Sequence, residues 1–266
     1  MTAAPVFALA DAEWLAHRYV ESDDAVRFIH LPRAEHDRQA FLIDSLLGER
    51  PTAPDLPAAG LLSQPRGKLH FLFHSAFCGS TLLTRALSAP GVAMGLSEPA
   101  ILNDVVGFRR RGAAPAAVAR TADLALRLLG RPFAPGEAVI VKPSNILNPM
   151  AELLMALQDR GQALFLYAPL ETFLISVARK GLHCRAWVRE LLEGYLHDGF
   201  IDLGFTPQDY FRLTDMQVAA VGWLAQHRHF TALSAKLGGR IASLDADLLT
   251  AAPEASLVAA ASSARP

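Results

Sequence analysis

Residues 69–87, LHFLFHSAFCGSTLLTRAL, constrain this chain more than any other stretch. The apolar run from Leu69 to Phe73, bounded by a loop of small residues, suits a buried parallel strand, and from Leu82 onward the spacing turns helical. Strand, small-residue loop and helix in that order make an anion cradle. Gly79 lets the backbone approach a ligand closely, while the unpaired N–H groups and positive dipole end of the following helix hold a phosphate or sulfate. The nucleotide P-loop pattern GxxxxGK[ST] is met only in part: His74 stands where the first Gly belongs and Ser80 where the Lys belongs, and only Gly79 and Thr81 agree. An ordinary strand-to-helix turn uses the same residue types, so this loop alone leaves both readings open.

Composition narrows the classes. With 266 residues, 52% hydrophobic and 19% charged, the chain folds as one large or two small globular domains. A formal net charge of -1 gives no global attraction to nucleic acid or an acidic membrane, and no partner of either kind is expected. The local cluster Arg109-Arg110-Arg111 reads as a solvated helix end. Cys78 and Cys184 form no metal-ligand pattern, so a reduced, cytoplasmic setting and a soluble protein are expected. Cys78, just before a helix, reads as a small apolar loop residue rather than a nucleophile. His183, His227 and His229 lack ligand-forming neighbours at suitable spacing, and no metal is expected. Trp187 and Trp223 read as core or pocket walls.

Along the chain, residues 1–66 read as an αβα cap and linker. A helix is predicted over 11–20 behind Asp11, a strand over 25–31 and a helix over 35–47 closed by Gly48, before a stretch with prolines at 51, 54, 57 and 65. Residues 67–250 form the main domain. After the cradle, strands are predicted over 91–96, 138–141, 163–167 and 241–244. Helices are predicted over 113–129, 170–180, 185–197 and 210–237, the last broken near Gly222. Residues 251–266 read as a flexible tail. Strands alternating with helices argue for an α/β, three-layer, P-loop-like fold, with a parallel central sheet flanked by helices and ligands at the carboxyl ends of the strands.

In that fold the loops after Phe73, Leu96, Val141 and Tyr167 open on one edge. They deliver His74 and the cradle, then Glu98, then Lys142 with Ser144 and Asn145, and finally the helix bearing Ser176. A cradle, a lysine, a hydroxyl and a carboxylate are the groups that transfer of an anionic group to an alcohol or phenol uses. The order of these residues resembles the P-loop-type sulfotransferases that use 3′-phosphoadenylyl sulfate, PAPS, and is most similar to their bacterial and tyrosylprotein-type branches. The likeness covers residues 69–176, with a weaker echo over 245–249. Their cradle reads approximately P-R-S-G-T-T-L-L, here Ala76-Phe77-Cys78-Gly79-Ser80-Thr81-Leu82-Leu83, and their K-[TSD]-P is matched loosely by Lys142-Pro143-Ser144.

The resemblance implies PAPS as sulfuryl donor and a hydroxyl-bearing acceptor, small molecule or peptide. It implies Glu98 as catalytic base and Lys142 as the cation reaching the transferred group, with His74 as an alternative base. It places Phe77, Cys78, Gly79, Ser80 and Thr81 around the donor, and Ser176 on its 3′-phosphate. Two departures stand out: Phe77 replaces a basic cradle residue, and Ala168, or Tyr167, stands where the arginine of the 3′-phosphate is expected. Arg179 and Lys180, about one turn beyond Ser176, are the replacements nearest in sequence on the 3′ side, and His74, Arg85 or Lys142 on the sulfate side. The rival readings are a P-loop kinase-like phosphotransferase and a non-catalytic protein of the same fold that binds a nucleotide or partner.

Overall fold

The computed structural model describes residues 5–263. Its N-terminal part differs from the predicted αβα cap. Residues Trp14–Val20 form strand β1, not a helix, paired antiparallel with β2 (Ala25–His30), and β2 takes a short strand β3 (Leu56–Pro57) on its other side. Nearly every residue of β1 is buried, so it lacks the inside–outside alternation that marks a half-exposed strand, and the Trp14, Leu15, Tyr19 spacing fits a helix equally well. The helix predicted over 35–47 is two single turns, α1 (Arg33–His36) and α2 (Asp44–Leu47). Tertiary hydrogen bonding holds the chain between them out of helix: Leu42 N–H donates to the Ser97 carbonyl at 2.8 Å, and Ala100 N–H to the Leu42 carbonyl at 3.1 Å. The proline-rich stretch holds β3 and one further turn, α3 (Ala58–Leu61).

The main sheet follows. Strand β4 (Leu69–His74) leads into α4 (Ser80–Leu87), then come β5 (Ala93–Ser97), α5 (Ala100–Arg110), α6 (Pro115–Leu129) and β6 (Ala138–Lys142). Next are α7 (Ala151–Leu157), β7 (Ala163–Tyr167), α8 (Leu170–Arg179), α9 (Gly181–His197), α10 (Pro207–Arg212) and α11 (Asp215–Leu237). Strand β8 (Ile241–Asp245), α12 (Ala246–Ala251) and α13 (Pro253–Ser263) complete the chain. The five strands lie in the order β5-β6-β4-β7-β8 and every pairing is parallel, giving the α/β layered fold that the alternating pattern predicts. Strand β4 is central. The chain leaves it to one side for β5 and β6 and returns past it to β7, and such a reversal opens a crevice at the carboxyl ends of the strands.

The two faces of the sheet feed two cores. Phe71, Phe73, Val141 and Phe165 pack on one side with Phe230 of α11, and Leu72, Ile140, Leu164 and Leu166 on the other with Phe173 of α8. Trp14, Phe28 and Leu31 of the N-terminal segment join the first of these, so that segment shares the core of the main sheet.

Three further differences concern helices. Helix α11 runs through Gly222 without interruption, and the break lies before it, at Thr214, whose side chain accepts from Gln217 N–H while Gln217 returns the bond. A capping box fixes a helix start more firmly than an internal glycine ends one. Residues 253–263 of the expected tail are helical, and residues 264–266 lie outside the described part. The arginines at the end of α5 are internal staples: Arg110 pairs with Asp198 at 2.7 Å, Arg109 donates to the Asp198 carbonyl at 3.1 Å, and Arg111 reaches Glu21 at 2.8 Å. Among the described residues, no helix is long and apolar enough to cross a membrane.

Several histidines are buried as neutral groups. Burial lowers His36 to about 3, His70 and His227 to about 4, and His74 well below its ordinary 6.5, with His229 lowered as well. As pH falls through 6.5 the unfolded chain takes up protons that the folded chain refuses, so stability declines until the folded-state values are reached. Urea unfolding at pH 7, 6 and 5 should show a steepening fall in stability, approaching about 1.4 kcal/mol per pH unit for each such histidine; a flat profile across this range would contradict their burial as neutral groups.

Candidate active site

The loop after β4 is wound by three left-handed residues, Ala76 (φ 71°), Phe77 (φ 52°) and Gly79 (φ 79°). The first two cost about 1–2 kcal/mol each, and such strain persists only where neighbours hold it. Here they do. Ser75 N–H donates to the Leu166 carbonyl and Ala168 N–H to Ser75 Oγ, both at 3.1 Å, which ties the loop to the end of β7. Ala76 N–H donates to His74 Nδ1 at 3.1 Å. A methyl group at position 79 would meet nothing closer than Leu249 at 3.9 Å, so glycine is required by its φ and not by space. The first N–H of α4 with a backbone partner is that of Leu83, bonded to the Gly79 carbonyl at 3.0 Å. Those of Ser80, Thr81 and Leu82 are left over, as at any helix start.

On the neighbouring strands, Ser97 pairs with Lys142, and one step later Glu98 N–H donates to the Lys142 carbonyl at 2.6 Å. Glu98 also has a left-handed backbone (φ 51°). The turn aims its carboxylate at the ammonium of Lys142, and the two form a short charge-assisted hydrogen bond. Lys142 is fully buried (0% exposed), with Nζ 4.9 Å from the ring centre of Phe41. Burial lowers its pKa below the ordinary lysine value, against the pull of Glu98 in the other direction. His74 Nε2 lies 3.6 Å from Glu98 Oε1. Because Nδ1 accepts from Ala76 N–H, the neutral ring carries its proton on Nε2, which makes no hydrogen bond to Glu98 at that distance.

These groups border a cavity of about 490 Å³. Phe77, Gly79, Ser80 and Thr81 form the cradle wall, with His74 behind it. Phe41, Glu98, Ser144 and Asn145 form a second wall, and Lys180, His183, Cys184 and Trp187 a third, at the junction of α8 and α9. Of the residues singled out from the sequence, His74, Phe77, Gly79, Ser80, Thr81, Glu98 and Lys180 line this one cavity. Lys142 stands behind Glu98 and does not line the cavity. Cys78 lies buried under the loop, where burial raises its thiol pKa. Ser176 and Arg179 sit on α8 outside the lining, half-buried and exposed respectively.

Phe41 is the wall residue that sequence reasoning misses, because it belongs to a segment that reads as helix. His183 and Cys184 carry no motif that marks them either. Ala168 has no exposed surface, and its backbone is held by Ser75 and by Trp223 Nε1, which donates to its carbonyl at 2.8 Å. Among the described residues, no three His, Cys, Asp or Glu side chains cluster as a metal ion would need.

No protein-family model and no curated protein matches this sequence. Among solved structures, a sulfotransferase domain from the curacin biosynthetic pathway is similar, with a TM-score of 0.48 and 16% identity over 76% of this chain and 74% of that one.

The Lys142–Glu98 pair sets a stability test. Glu98→Gln leaves a buried ammonium without its partner and should cost about 3 kcal/mol in urea unfolding at pH 7. Lys142→Met leaves a carboxylate that still touches the cavity, so it should cost less, and the double variant should recover most of the loss. A Glu98→Gln variant as stable as Lys142→Met would show that the pair is not the buried contact described.

Proposed function

We propose that this cavity is the transfer site of a PAPS-dependent sulfotransferase acting on a hydroxyl acceptor. The observation that carries the reading is that Glu98, a carboxylate already aligned by Lys142, opens on the same cavity as the left-over amides of the cradle. An anion cradle facing a fixed base is the arrangement that sulfuryl transfer needs. The residues fit the donor: the amides of Ser80 and Thr81 suit the oxygens of a phosphosulfate, and Ser176 and Arg179, three apart on α8, suit a 3′-phosphate outside the cavity.

The donor supplies an electrophilic sulfur and a phosphate leaving group. The acceptor oxygen forms its bond to sulfur as the bond between sulfur and the bridging oxygen breaks, and the acceptor proton passes to Glu98. The cradle amides take up the charge that grows on the departing phosphate. Protonation of Glu98 cancels its charge and releases Lys142 from the pair, so that the ammonium can turn to the bridging oxygen. The wall of Phe41, Phe77 and Trp187 keeps water from competing with the acceptor. A magnesium-dependent kinase site would need carboxylate ligands, and the one carboxylate lining the cavity among the described residues is held by a lysine.

Calorimetry tests the reading. The protein should bind 3′-phosphoadenosine 5′-phosphate and not ATP–magnesium; the reverse preference would support the kinase, and binding of neither the non-catalytic protein. With PAPS and an accepted alcohol or phenol, Glu98→Gln should lower turnover at least about 100-fold, the scale of a lost general base. Its affinity for 3′-phosphoadenosine 5′-phosphate should stay within about two-fold of the parent, and an equal loss of affinity would give Glu98 a structural role instead.

A further inference from the structure

The resemblance places Lys180 with Ser176 and Arg179 on the 3′ side of the donor. Of the three, Lys180 lines the cavity and the other two do not. Helix α8 ends at Arg179, Lys180 N–H still donates to the Ser176 carbonyl at 3.2 Å, and Gly181 (φ 72°) turns the chain into α9. Lys180 keeps helical register with Ser176, yet it lines the cavity, which neither Ser176 nor Arg179 lines. Its ammonium stands 5.3 Å from the ring centre of Phe77, inside the range of a cation–π contact. That ring is itself held, at 5.7 Å from Phe173 and edge-on to Trp187 at 5.5 Å. Among the described residues, no carboxylate pairs with Lys180 within 4.0 Å, and the sole acid lining the cavity, Glu98, is engaged by Lys142. No carboxylate engages the charge of Lys180, and its ammonium lies over the ring of Phe77, two positions before Gly79.

On these grounds, and resting on the transfer site proposed above, we infer that Lys180 binds the sulfuryl-bearing 5′ end of the donor, with Phe77 as its seat, and does not bind the 3′-phosphate. A cation missing from the loop in sequence is returned to it in space by the junction of two helices. Positive charge there belongs where the phosphosulfate oxygens meet the cradle amides, and an ammonium donating to such an oxygen makes a charge-assisted bond.

Two half-donors separate the alternatives: adenosine 5′-phosphosulfate, which lacks the 3′-phosphate, and adenosine 3′-monophosphate, which lacks the 5′ group. Calorimetry with the full-length protein should show Lys180→Met weakening adenosine 5′-phosphosulfate about ten-fold or more, the scale of one charge-assisted hydrogen bond. Adenosine 3′-monophosphate should bind the variant as it binds the parent, and Lys180→Arg should keep most of the 5′ affinity. Lys180 is exposed, and unchanged thermal unfolding of each variant confirms that the fold is kept. Weakening of the 3′-monophosphate, equal weakening of both ligands, or no weakening of the 5′-phosphosulfate each overturns the assignment while leaving the transfer site standing. A parent protein that binds neither ligand overturns the transfer site itself, and this inference with it.

Discussion

A lysine ammonium with no exposed surface is tolerable only beside a counter-charge, and the contact between Lys142 and Glu98 is the one on which the rest of this site depends. Its demands reach outward. Strand β6 must end on Lys142 and β5 must stop one residue short of Glu98, so that the parallel register brings the two backbones within hydrogen-bond distance. Glu98 must then take a left-handed conformation just before Pro99, a strained choice which the ion pair and the sheet together enforce. The result is a carboxylate whose direction is fixed before any ligand arrives. Preorganisation of that kind is worth more to a transfer reaction than the charge alone.

The remainder of the site is assembled by strand order. Because β4 lies between β6 and β7, the loop it feeds into α4 sits beside both Lys142 and the end of β7, and Ser75 links that loop to Ala168. Segments that belong to no strand also border the crevice: the stretch carrying Phe41, and the junction of α8 and α9 carrying Lys180. Phe41 has a double place, as a wall of the cavity and as the aromatic face against the buried ammonium. In the same cavity Glu98 is neutralised by Lys142, while Lys180 and the start of α4 also line it.

How legible this was in the sequence depends on what each residue answers to. The strands of the main sheet are buried on both faces and bounded by turn residues, so Ala163–Tyr167 and its neighbours show as short apolar runs. Lys142 shows because a charge seldom ends a buried apolar run, and Gly79 because a tight strand-to-helix turn needs its backbone freedom. Strand β1 did not show, since its burial on both faces erased the alternation that separates strand from helix. Phe41 was hidden because hydrogen bonds from residues far along the chain hold its segment, not local propensity. The burial of Lys142 behind Glu98 and the turn of Lys180 toward Phe77 are three-dimensional facts. One follows from strand register and the other from the residue at which a helix stops, and sequence spacing places such boundaries only to within a few residues.

The most direct measurement is a crystal structure with 3′-phosphoadenosine 5′-phosphate bound. A sulfuryl-transfer site requires the 5′-phosphate on the amides of Ser80 and Thr81 at the start of α4, with Glu98 facing it across the cavity. A nucleotide seated anywhere else in the molecule, or a 5′-phosphate turned away from both the cradle and Glu98, would contradict it.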